Sequence, residues 1–224
     1  MKINENLTEY LKMTESKQGA FNNPDNCSLT VVTDPDKMVS FEKRTGKSLG
    51  VLADNSPFFT LVGDLVDNGK TQFRYCRLIY TADSNGGVCL IHLKEENKFC
   101  LLKIFRHANR KEALEFPRGF AEKNDVSISD NIRRELREEM GLTDEIIEIR
   151  HLGCCESDSP IIHGRAEVFS AEIERLPEVV REEGITGYEI LSENEFIAKL
   201  GTEITDNFTI TAYCLWKAKC NRIK

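Results

Sequence analysis

A chain of 224 residues, 40% hydrophobic and 30% charged, can bury a substantial core as one large domain or a domain with an N-terminal extension. Its net charge of −7 argues against general nucleic-acid or membrane-surface binding, so neither partner is expected. If the substrate is a phosphate ester, the acids must act through a metal cation or keep clear of the phosphates. From the N-terminus, residues 1–27 are polar; Asn4 to Lys17 suits a short helix, and "GAFNNPDN" reads as loop. "SLTVVT" and "FFTLVGDLV" read as strands, with "PDKMVSFEKRTGKSLG" between them as a polar helix or loop. From Gln72, "QFRYCRLIYTA", "GGVCLIHLK" and "KFCLLKIFRHA" alternate or run apolar between Asn-Gly-Gly and Glu-Glu-Asn turn signals. A helix follows within Glu115 to Leu142. "IEIRHLGCCESD" and "GRAEVFSAEIE" are again strand-like, and "SENEFIAKLG" and "NFTITAYCLWKAK" close the chain as helices.

Strands, helix, strands, helix predict an α/β or α+β arrangement, a mixed sheet covered by helices. A smaller, β-rich N-terminal subdomain is expected over residues 1–71, and the main domain over 72–224. Eight cysteines form no CxxC pair, and most lie in apolar surroundings, including the vicinal Cys154 and Cys155. They read as structural thiols. The first twenty residues carry no apolar run of the signal-peptide kind, and no stretch reaches membrane-span length. A reduced, cytoplasmic protein is expected. His92, His107, His151 and His163 are scattered without metal spacing, and "GKSLG" lacks the full phosphate-loop pattern.

The chemistry concentrates in "EFPRGFAEKNDVSISDNIRRELREEMGL", Glu115 to Leu142. Ser127 followed by Asp130 suits a helix N-cap, and Gly141 a C-cap. Ile132, Leu136 and Met140 recur every fourth residue and should face the core. Glu135, Glu138 and Glu139 form an adjoining stripe, while Arg133 and Arg137 lie outside it. Arg134 can pair with Glu138 one turn on. "RRELREEM" by itself also suits a solvated surface helix. The upstream Glu115 and the turn expected at Pro117 and Gly119 favour a metal site instead. Helix carboxylates and a carbonyl exposed by such a turn are the hard oxygen ligands that Mg²⁺ takes. A cation would also offset the repulsion among the glutamates. Arg106 ends an apolar strand, where its fork can hold a phosphate. Arg74 and Arg77 are weaker substrate-binding candidates.

The segment resembles a Nudix box, whose pattern is Gly, five residues, Glu, seven residues, then Arg-Glu-apolar-any-Glu-Glu-any-Gly-apolar. The second half is complete from Arg134 to Leu142. The first half departs from it. Asp125 stands where Glu would follow Gly119, and eight residues rather than seven precede Arg134. The extra residue is placed in the loop before the helix. "FRHANRKEALEFPRGF" and the C-terminal "EEGITGYEILSENEFIAKLGTEITDNFTITAYCLW" are similar to the ADP-ribose pyrophosphatase branch.

The resemblance implies a Nudix-type α/β/α sandwich and metal-assisted hydrolysis of a nucleoside diphosphate linked to another moiety. Mg²⁺, with Mn²⁺ as an alternative, would be held by Glu135, Glu138 and Glu139, the turn at Arg118 and Gly119, and Glu115. Arg134 would orient Glu138. In the matching C-terminal loop, Glu182 or Glu183 would supply the general base, with Glu139 as fallback. ADP-ribose or a related nucleotide sugar is the expected substrate; the alternatives are a dinucleotide or other nucleotide, or a non-catalytic nucleotide sensor. The branch also implies a homodimer, with strands beyond the core available to pair across a twofold axis.

Overall fold

The computed structural model describes residues 3–56, 58–80, 86–122, 124–143, 145–179 and 184–220. They divide into two units, Met1–Asp83 with Asp158–Gly164, and Ser84–Ser157 with Arg165–Lys224. The first unit opens with α1 (Glu5–Ser16), α2 (Gln18–Phe21), β1 (Thr30–Val31), α3 (Pro35–Thr45), β2 (Gly50–Asn55), β3 (Phe59–Asp67) and β4 (Gln72–Tyr80). The chain continues through β5 (Gly87–Leu93), β6 (Lys98–Arg106), β7 (Lys111–Glu115), β8 (Arg118–Gly119), α4 (Ile128–Met140) and β9 (Ile146–Cys155). It returns to the first unit for β10 (Ile162–His163). It then ends with β11 (Ala166–Ile173), β12 (Ile185–Ser192), α5 (Glu193–Lys199) and α6 (Asn207–Cys220) in the second.

The boundary expected at residue 71 assigns β4 to the second domain. In the structure β4 pairs with β3 along its whole length, from Gln72 against Asp67 to Tyr80 against Phe59. Alternation marks a strand but not the sheet it joins, which is why the sequence misplaces it. The first unit's core gathers Leu7, Tyr10, Met38, Phe41, Leu49, Val62 and Leu65. Asp64, fully covered, takes hydrogen bonds from the Tyr10 hydroxyl at 2.5 Å and from Arg77 Nε at 2.6 Å.

In the second unit the strand order is β12-β6-β5-β11-β9. β11 runs parallel to β5, and the other pairs along this path are antiparallel. The sheet is mixed and both faces are covered. Along β5, Cys89, Ile91 and Leu93 enter one core with Ile132, Leu136 and Met140 of α4. Val88 and Leu90 enter the other with Phe196 of α5 and Ala212 and Tyr213 of α6. Burial on both faces explains why "GVCLIHL" is almost continuously apolar. Each fully buried Ile, Leu or Met of α4 contributes roughly 1.5–3 kcal/mol, which offsets the cost of burying acids on the same helix. Burial pushes the Cys89 thiol up and that of Cys100 up to about 12, as structural thiols should behave. Among the described residues no helix is long and apolar enough to cross a membrane.

The hairpin of β5 and β6 pairs only from Ile91 to Leu93 against Lys98 to Cys100. Beyond that the two strands part. β7 takes the free edge of β6, from Leu102 against Glu115 to Arg106 against Lys111. β8 takes the free edge of β5, Arg118 against Val88 and Gly119 against Gly87. Residues 111–119 therefore fill a split in the sheet. The tight turn expected at Pro117 and Gly119 is replaced by a crossing from one strand edge to the other, and the Pro117 carbonyl accepts from Cys89 N–H at 3.0 Å.

Candidate active site

The split carries the site because three buried carboxylates meet its last two residues. Glu115, at the end of β7, places Oε2 3.3 Å from Arg118 Nε. Glu139 of α4 accepts the Arg118 backbone N–H at 3.0 Å. The Glu135 carboxylate occupies the space a side chain on Gly119 would need, since a Cβ there would lie 2.0 Å from it. Gly86 permits the same approach from the other side. Its φ is +77°, and a Cβ would stand 1.9 Å from the Gly119 carbonyl oxygen. The three residues are 4%, 8% and 7% exposed for Glu115, Glu135 and Glu139, so their charges require partners.

The helix presents these acids as its sequence dictates. Ser127 caps α4 by accepting Asp130 N–H, and Gly141 ends it in the left-handed conformation with φ +68°. Ile132, Leu136 and Met140 face the core as expected. Counting about 100° per residue from Ile132, Glu139 lies about 20°, Glu135 about 60° and Glu138 about 120° round one side. Glu138 is accordingly the outer member, its side chain 52% exposed, and it pairs with Arg134 at 2.8 Å. The structure thus separates one acid from the expected stripe and brings Glu115 to the other two.

Three arginines surround the acids. Arg106 gives Nε and Nη2 to one oxygen of Glu115 at 3.0 and 2.6 Å. Burial pulls its pKa down, but the bond to and charge of Glu115, with Glu139 and Asp206, outweigh it and hold it high. Arg134 touches Glu135 and Glu138 at 2.8 Å and Asp125 at 3.2 Å, and donates to the Phe120 carbonyl at 2.8 Å. Burial is again outweighed, by the Asp125 bond and the glutamate charges, and the guanidinium is kept firmly charged. Asn131 Nδ2 also donates to the Phe120 carbonyl, at 2.9 Å, so α4 grips the loop that follows β8.

Asp125 reaches Arg134 despite the extra residue, which lies in the loop before Ile128. Its Oδ2, which takes Arg134 Nη2, also accepts Glu122 N–H at 2.8 Å. Burial alone would raise the Asp125 pKa. The Arg134 bond, the Glu122 N–H and the Arg134 charge together hold it below its ordinary value. A carboxylate with a lowered folded pKa stabilises the fold above its unfolded value of about 3.9, and that stability is lost as pH falls through the lower folded value. Asp125→Asn should therefore narrow the stability gap to wild type as pH drops below about 4. Urea titrations followed by Trp216, the only tryptophan, check this; a gap independent of pH in that window would remove the assignment.

Of the remaining expected residues, Arg74 and Arg77 lie on β4 in the first unit. Arg77 is committed to Asp64, and Arg74 donates to the Ser48 carbonyl at 3.2 Å. Glu182 and Glu183 lie outside the described residues. Gly184, just after them, accepts Phe105 N–H at 2.9 Å. The sequence reading found α6 from Asn207 but not the contacts at its start. Asp206 accepts the N–H and hydroxyl of Thr209 at 2.8 and 2.9 Å, and Thr209 Oγ1 accepts Phe116 N–H at 3.0 Å. This clasp holds the crossing from the far face. An Asp with Thr three residues on is the local N-cap signal that could have revealed it.

Among the described residues no group of three or more His, Cys, Asp or Glu is already spaced to hold a metal ion. The donor chemistry nevertheless fits a hard divalent cation: carboxylate oxygens from two elements adjoin one backbone segment, beside a glycine cradle.

Comparison with known proteins places this geometry. No curated protein sequence matches the chain. In fold it is similar to a crystal structure of an ADP compounds hydrolase, with a TM-score of 0.61, 13% identity and coverage of 78% of this chain and 92% of that one. The NUDIX domain pattern matches residues 84–210, more than half the chain, and spans β5 to the first turn of α6 with the whole acid cluster. The chain belongs to the NUDIX family.

Proposed function

We propose that this Nudix pyrophosphohydrolase cleaves the diphosphate of ADP-ribose or a related nucleotide sugar with Mg²⁺ or Mn²⁺, giving a nucleoside monophosphate and a sugar phosphate. The observation that carries the reading is the convergence of Glu115, Glu135 and Glu139 on Arg118–Gly119. The substrate class rests on the likeness to the ADP compounds hydrolase and on the sequence resemblance. Glu115, Glu135 and Glu139, with the backbone carbonyls at Arg118 and Gly119, would hold the cation. When bound, the cation supplies positive charge that offsets the charge developing on the phosphate oxygens.

The protein's own groups then have distinct tasks. Arg134 holds the Glu135 and Glu138 side chains in place through ion pairs at 2.8 Å. Arg106 holds Glu115 in place beside Arg118. A base must take a proton from the attacking water, and we assign it to Glu182 or Glu183, with Glu139 as the alternative. Gly184 anchors the end of their segment to β6. The test is a panel of ADP-ribose, NADH, UDP-sugars and diadenosine polyphosphates with Mg²⁺, phosphate being read after phosphatase treatment. ADP-ribose or a nucleotide sugar should turn over best. Preference for a dinucleotide would replace the substrate class, and no cleavage of any would overturn the reading.

A further inference from the structure

The acid cluster leaves a difficulty for a diphosphate substrate. Six carboxylates, Glu115, Asp125, Glu135, Glu138, Glu139 and Asp206, stand against three arginines, and two of these have their forks occupied. Arg106 spends Nε and Nη2 on Glu115. Arg134 spends its guanidinium on Asp125, Glu135, Glu138 and the Phe120 carbonyl. Arg118 differs. Its Nε lies 3.3 Å from a Glu115 oxygen that already accepts both Arg106 contacts. Its Nη2 lies 3.6 Å from Asp206 Oδ1, beyond ordinary hydrogen-bond length. Among the described residues neither Nη group makes a hydrogen bond, although a guanidinium carries five N–H donors.

The group is nonetheless held in place. Its central carbon sits 4.7 Å from the centre of the Phe208 ring, a cation–π contact that restrains the group. Asp206 is fixed by Thr209, and the Arg118 main chain by Glu139. The side chain is 32% exposed, so an anion can reach it. A positioned fork with unspent donors is the form in which arginine binds phosphate through two parallel hydrogen bonds.

We infer that the Arg118 guanidinium, backed by Phe208 and Asp206, grips one phosphate of the diphosphate substrate. The sequence reading gave this task to Arg106 and used Arg118 only for its backbone. The inference rests on the diphosphate chemistry proposed above but not on the identity of the nucleoside. Phe208 and Asp206 act through Arg118 as positioning residues.

The test uses inorganic pyrophosphate as probe, titrated calorimetrically into the full chain in EDTA so that no turnover occurs. Wild type should bind it. Arg118→Met should weaken binding at least about tenfold, and Arg118→Lys, which keeps the charge but loses the fork, should fall between wild type and Arg118→Met. On the best nucleotide of the panel, Arg118→Met should raise KM by at least about tenfold with a smaller change in kcat. Arg118→Gln replaces Arg118→Met if the latter lacks the wild-type melting transition. Protection of Arg118 from phenylglyoxal by pyrophosphate, read by peptide mass, needs no variant. Absence of binding by wild type, wild-type affinity in Arg118→Met, or absence of protection would each overturn the inference. Failure of every nucleotide in the panel would instead sink the substrate reading, whatever the pyrophosphate result.

Discussion

Glu139→Gln should lower turnover by at least about a hundredfold and leave the fold intact. Glu139 is 7% exposed, and its Oε2 accepts the Arg118 backbone N–H at 3.0 Å. Glutamine has the same shape and retains a carbonyl oxygen that can accept that hydrogen bond. The substitution therefore removes the charge while sparing the contact that ties α4 to β8. Its neighbours Leu136 and Met140, both fully buried, are untouched. Steady-state turnover with Mg²⁺ and a thermal melt separate the two effects. Near wild-type turnover in a folded variant would show that Glu139 does not hold the cation. A lost melt would show that its charge serves the fold.

Gly119→Ala should have an effect of similar size by an indirect route. The added Cβ would lie 2.0 Å from the Glu135 carboxylate, where real contacts of this kind essentially never fall below 3.0 Å. The obstructing atoms are the far end of a flexible side chain. The carboxylate can swing aside, and stability should fall by only about 1–3 kcal/mol. Once displaced, however, Glu135 no longer adjoins Gly119 beside Glu139 and Glu115. Turnover should drop by at least about a hundredfold, like that of Glu135→Gln. Because both changes remove the same ligand, Gly119→Ala combined with Glu135→Gln should be little worse than either alone. Additive losses would mean that Gly119 matters for something other than room for Glu135.

What could be read in the sequence was local. α4 announced itself through Ser127, Gly141 and the fourfold spacing of Ile132, Leu136 and Met140, and all of these act as read. β5 and β6 were visible as apolar runs between turn signals. What could not be read depends on distant partners. β7 and β8 are short, and their pairing follows from the parting of β5 and β6, which no local pattern encodes. The proline and glycine of the crossing look like a turn in sequence, yet Gly119 is required by a side chain sixteen positions later, Glu135. β2 falls, beyond Gly50, between the segment read as helix or loop and the strand read at "FFTLVGDLV", and was not read, because its strand character comes from pairing with β3. Arg77 and Arg118 are equally plain arginines in sequence. One meets buried Asp64, and the other lies against Phe208 with donors to spare.

The central claim is that Glu115, Glu135 and Glu139 form, around Arg118–Gly119, a cation site for pyrophosphate hydrolysis. Its most direct test is ³¹P NMR of ADP-ribose incubated with the full chain, with Mg²⁺ and with EDTA in its place. The account predicts that Mg²⁺ samples convert the diphosphate signal into those of AMP and ribose 5-phosphate, and that EDTA samples keep it unchanged. Equal conversion in EDTA, or an intact diphosphate in Mg²⁺, would contradict it.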